Sequence, residues 1–154
     1  MTAPLPRLLG LAYPACATEG AEGLPAPTML DFAALRRPRP GNSALAAPPG
    51  LRVLPDLITR VRDLPPRRLY DVLCRVALAQ PRTFAHAAFA DQSQAHFVVR
   101  SARCNFPDLV TIQITPDSFP ALYSRSVYGR SDFGVNRRRL VAWLTSLDAA
   151  LQHG

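Results

Sequence analysis

"LVTIQITPDSFPALYSRSVYGRSDFGVNRRRLVAWL", Leu109 to Leu144, carries two periodicities and the switch between them. In "LVTIQIT" (109–115), Val110, Ile112 and Ile114 fall on one side of an extended chain and Thr111, Gln113 and Thr115 on the other. That alternation predicts a strand with one buried face. "TPDS" supplies a turn, and "FPALYSRSVY" (119–128) returns as the next strand. The period then lengthens. Leu140, Trp143, Leu144, Leu147 and Leu151 form one stripe of a helix predicted over 136–151, with Gly154 just past its end.

Upstream, "TFAHAAF" (83–89) and "AHFVVRSAR" (95–103) flank the polar turn "ADQSQ". Connections this short join antiparallel neighbours, because a parallel return needs a longer crossover. "DLPPRRLYDVLCRVALAQP" comes before them, with Leu69, Val72, Leu73 and Val76 at helical spacing. Pro65 and Pro66 suit a helix start and Pro81 an end, so a helix is expected over 66–79. The order α-β-β-β-β-α predicts an α+β fold, a two-layer sandwich with two helices on an antiparallel four-stranded meander sheet. "LRVLPDLITRV" adds a fifth strand if it forms an edge. More than half of the 16 prolines fall in residues 1–50, which therefore read as an extended Pro-rich N-terminal arm partly wrapping the core, with at most a turn around 29–36. Residues 51–154 are then a single domain, as the length allows.

Composition excludes more than it assigns. The formal charge of +7 comes from 18 basic residues, all of them arginine and spread along the chain, so nucleic acid is a disfavoured partner. Cys16, Cys74 and Cys104 are too far apart for a disulfide framework or a CxxC site, which favours reduced thiols and a cytoplasmic location. An envelope-associated or exported location is the alternative if the N-terminus is processed, although prolines make the first twenty residues a poor signal peptide. No apolar run approaches the ~20 residues of a transmembrane segment. Lacking lysine, the chain has no Walker A motif or Schiff base. With only His86, His96 and His153, and no metal-ligand cluster, no catalytic residue, cofactor or metal is expected.

The candidate site is the turn before the last helix. Ser124 and Ser126, two apart on a strand, share a face with Tyr128. Gly129 and Gly134 permit positive φ, and Asn136 is placed to cap the helix. Arg137, Arg138 and Arg139 then sit at the positive end of the helix dipole, each at a cost of ~0.3–1 kcal/mol. In the simplest arrangement Arg137 and Arg138 point into water, where screening makes the cost small, and Arg139 pairs with an acid; two others would offset the cost. An anion could bind the free amides, Ser131, Arg139 and Arg130, or Asp132 could pair with an arginine as a structural latch. The candidate ligand-binding set is Ser124, Ser126, Gly129, Arg130, Ser131, Asp132, Gly134, Asn136 and Arg139. A hydrolase using Ser131 with His86 or His96 ranks last, since "GRSDFG" is not a GxSxG elbow.

"YSRSVYGRSDFGVNRRR" resembles the signature of the domain-of-unknown-function 1499 family, mainly bacterial and also found in plastid lineages. The resemblance reaches upstream through "RSARCNFPDLVTIQI" to "DFAALRRPRPGNSALAAPPG", where Asn42 matches a recurrent Asn, and covers roughly residues 31–151. Val127 stands where relatives often carry Arg, with Arg125 and Arg130 close by. The resemblance implies no reaction. The expected function is a non-catalytic binding or interaction module, its partner an anionic small molecule or an unknown protein. The alternative is an accessory or assembly protein docking on a larger, membrane-associated complex, with the arginine excess favouring peripheral membrane association.

Overall fold

The computed structural model describes residues 9–37 and 40–154; the arm's residues 1–8, weighed above as part of a leader, and 38–39 lie outside them. The elements are β1 (Ser43–Ala47), β2 (Leu57–Ile58), α1 (Pro66–Ala79), β3 (Thr83–Phe89), β4 (Gln94–Arg100), β5 (Pro107–Ile114), β6 (Pro120–Ser126) and α2 (Val135–Gln152). Helix α1 has its expected bounds, starts on a proline and buries Leu69, Leu73, Val76 and Ala77. The expected antiparallel meander is present as β3 to β6. Val110 faces Phe97 and Ser124 across the ladders, and Ile112 faces Ala95 and Leu122.

One sheet face packs on both helices. Trp143, only 2% exposed, meets Phe97 edge-on at 5.9 Å and joins Leu140 and Leu147 over Val110, Ile112 and Leu122. The α+β expectation therefore stands, and α2 extends one residue beyond its expected range at each end.

The sheet is larger than the meander. It has six strands in the order β2-β1-β6-β5-β4-β3, with β1 antiparallel to β6 and parallel to β2. Strand β1 comes from a stretch that the proline load had assigned to the arm. Its sequence, "SALAA", shows no alternation because both faces are buried. Ala44 and Ala46 meet the helix-side core, while Leu45 and Ala47 meet a second cluster. Alanine is a weak strand former, so local propensity gave no signal; packing decides this strand.

The second cluster lies on the opposite sheet face, where Phe32 and Leu35 pack on Leu45, Ala47, Ala121 and Tyr123. Residues 14–37 cross this face as an irregular strap with short turns at Pro14–Ala17 and Phe32–Ala34. Polar clamps hold it. The buried Gln94 side chain accepts from Leu30 N at 2.7 Å and donates to Leu30 O at 2.8 Å, pairing with the strap backbone as a strand would. Arg100, 2% exposed, donates to the carbonyls of Ala15, Gly20 and Asn105 and to Thr18 Oγ1. Asn105 Nδ2 donates to Cys16 O and Thr18 O. Residues 14–37 of the arm are thus irregular, as their prolines require, and also docked.

Candidate functional site

The even-numbered residues of β5 and β6 face the helices, so Asp108 lies opposite Ser126, and Val110 opposite Ser124, beneath the start of α2. An aspartate in a core-facing phase needs a cation. Arg139 supplies it: its Nη2 donates to Asp108 Oδ2 at 2.8 Å, both side chains being about seven-eighths buried. Nη1 donates to Ser124 Oγ at 3.0 Å and to Asn136 Oδ1 at 2.8 Å. Burial pushes the Asp108 carboxyl above its usual range, and Arg139 and then Ser126 pull it partway back.

Asn136 is the hub, and this differs from the expected cap. Gly134, at φ +81°, occupies the cap position, and the fully buried Asn136 is the second helical residue. Its Oδ1 also accepts from Ser124 Oγ. Its Nδ2 donates to Ser126 Oγ at 2.9 Å, Asn42 O at 3.1 Å and Asp132 Oδ2 at 2.6 Å, so two protons share three acceptors. Capping falls to Asp132 instead. Its Oδ1 accepts from Gly134 N at 2.8 Å and its Oδ2 from Asn136 N at 3.1 Å, which satisfies helix-start amides. The acid that pairs with the arginine run is therefore Asp108 and not Asp132.

The remaining candidates divide. Gly129, at φ +91°, offers its carbonyl to Asn42 Nδ2 at 2.7 Å. Arg138 Nη1 donates to Phe133 O at 3.0 Å. Ser131 is exposed, and its Oγ accepts a long bond from Phe133 N at 3.4 Å. Arg130 and Arg137 are exposed and lie outside the network. Tyr128 does not join the serines; its hydroxyl accepts from Ala15 N, and its ring meets Tyr13 and Phe106. Sequence reasoning missed Asp108 as a member and left Asn42 outside the site. The acid in the core-facing phase of β5 was a usable signal for Asp108.

His86 and His96 belong to the opposite sheet face. His96 is 7% exposed, its Nε2 2.9 Å from Gln94 Oε1 and its Nδ1 3.0 Å from Thr111 Oγ1. The Gln94 oxygen already accepts from Leu30 N, so the Nε2 that faces it carries a proton, and in the neutral ring Thr111 donates to Nδ1. Burial, with a smaller contribution from His86, lowers the His96 pKa to about 4. Next to it is a cavity of about 310 Å³ between strap and sheet, walled by Pro25–Leu30, His86, His96, Thr111, Tyr123 and Arg125. An adjoining cleft of about 510 Å³ shares Leu30, Tyr123 and Arg125 and adds Leu35, Arg36, Asn42 and Val127. Arg36 and Arg125 are exposed and have no ion-pair partner among the described residues.

Among the described residues no His/Cys/Asp/Glu group could hold a metal ion, and no helix is long and apolar enough to cross a membrane. The chain matches no curated protein. The family model described as "Protein of unknown function (DUF1499)" matches residues 54–147, from the approach to β2 through most of α2, and so takes in all of the motif from Ser124 to Arg139. With well over half of its length matched, the chain belongs to the DUF1499 family.

Proposed function

We propose that the protein is a non-catalytic binding module for an amphipathic anion, a carboxylate or phosphate ester with an apolar body. The observation that carries this reading is the pair of adjoining cavities under the strap, mostly apolar, with Arg125, which has no ion-pair partner among the described residues, shared between them and Arg36 in the outer one. Their volumes suit a small ligand, and ligand sites are typically apolar clefts with a few converging polar groups. This moves the anion site from the turn before α2 to the strap. The closed network around Asn136 supports a holding role for the motif, because Arg139 already has its carboxylate.

Titration of aryl and alkyl carboxylates and phosphates into the wild type tests the reading. A binding ligand should raise the melting temperature, and Arg125→Gln should weaken it about tenfold, ~1.4 kcal/mol. No response from any such ligand, or wild-type affinity in Arg125→Gln, would overturn it. A second reading, an accessory protein working at a membrane surface, is favoured by the all-arginine charge of +7 and by Phe133, which is 88% exposed. The free thiols of Cys16, Cys74 and Cys104 suit a reducing, cytoplasm-like compartment, with the envelope as the alternative.

A further inference from the structure

Phe133 stands at the tip of the turn before α2 with 88% of its surface in water and φ at +53°. That conformation is uncommon for any side chain and a true outlier for a bulky one. The turn that carries it is well tied. Phe133 N donates to Ser131 Oγ, and its carbonyl accepts from Arg138 Nη1. Asp132 grips Gly134 N and Asn136 N on the other side. The network therefore presents the ring on a fixed frame. Arg130 and Arg137 flank it, exposed and with no ion-pair partner among the described residues. The nearby acids do not neutralise them, since Asp132 and Asp108 turn inward to Asn136 and Arg139.

We infer that this turn docks the protein on an anionic lipid bilayer, with Phe133 entering the interface and Arg130 and Arg137 meeting headgroups. The surface around the ring decides between a bilayer and a protein. Val135, at 41% and the first residue of α2, is the nearest other exposed large apolar residue along the chain. A stable protein interface needs about 800 Å² from each partner, far more than one protruding ring and a valine offer. A bilayer interface accepts a single aromatic anchor, and each basic residue near an anionic surface adds attraction.

This deepens the membrane-surface reading above and reads different residues from the strap cavity, so either can fail alone. The test is co-sedimentation of the full chain with phosphatidylcholine vesicles, with and without phosphatidylglycerol. The wild type should pellet only with the anionic vesicles, and less as salt rises. Phe133→Gly should lose this binding with its melting temperature unchanged or higher, because glycine accepts the positive φ; Phe133→Ser is the second variant. Arg137→Gln should bind about fivefold more weakly. Absent wild-type binding, equal binding to neutral vesicles, or full binding by Phe133→Gly would each overturn the inference.

Discussion

Arg139 is the one arginine of its run that turns inward, and its fate separates a structural latch from a ligand site. Arg139→Gln leaves Asp108 buried without its cation, which should cost ~3–5 kcal/mol in urea denaturation. Adding Asp108→Asn removes the stranded charge, so the double variant should recover part of that loss. Additive losses in the double-mutant cycle would show that the pair is not coupled. Arg137 needs no such partner. It is exposed, where solvent screening makes its place at the dipole's positive end inexpensive.

At the scale of elements, the strap is the part whose character sequence and structure describe differently. Its prolines announce irregularity correctly, but irregular is not the same as loose. Gln94 supplies from β4 the paired donor and acceptor that the strap cannot find in a ladder of its own. Gln94→Ala should therefore speed hydrogen exchange at the Leu30 amide and open residues 25–30 to protease, while the wild type resists cleavage there. Equal protection in both proteins would place the docking energy in Phe32 and Leu35 instead. The helices and β5 were legible because one apolar face writes a period into the sequence, and β4, buried along its whole length, because Phe97, Val98 and Val99 are strong strand formers. Strand β1 was illegible for the opposite reason: with both faces buried and four small residues in five, "SALAA" has no period. The same limit applies to the site. Motif spacing pointed to Ser124, Asp132, Asn136 and Arg139 but could not say which groups bond each other. Asn136 was therefore read as a cap when it is a hub, and Asp108, from a different strand, was missed.

For the whole molecule, His96 links the fold to pH. Its pKa falls from 6.5 to about 4 on folding because burial, and to a smaller extent His86, disfavours a charge on the ring. A depressed folded-state pKa gives stability that is full above about pH 6.5 and lost as pH falls toward 4. The loss should be about 3 kcal/mol across that window, and His96→Gln should flatten this part of the stability curve. An unchanged acid limb would place the sensitivity on the carboxylates. The pairing of β1 with β6 bears on biosynthesis. A ribosome releases β1 early and β6 only after the whole meander, a delay of seconds at ordinary elongation rates. Until then β1 has no antiparallel neighbour and α2 has not yet been made. The nascent chain can form α1 and the β3–β5 part of the sheet, but it cannot close. Because β6, the motif and α2 follow all the other described elements along the chain, their synthesis completes both the sheet and the core, and a chain that stalls before them is left with an open sheet edge.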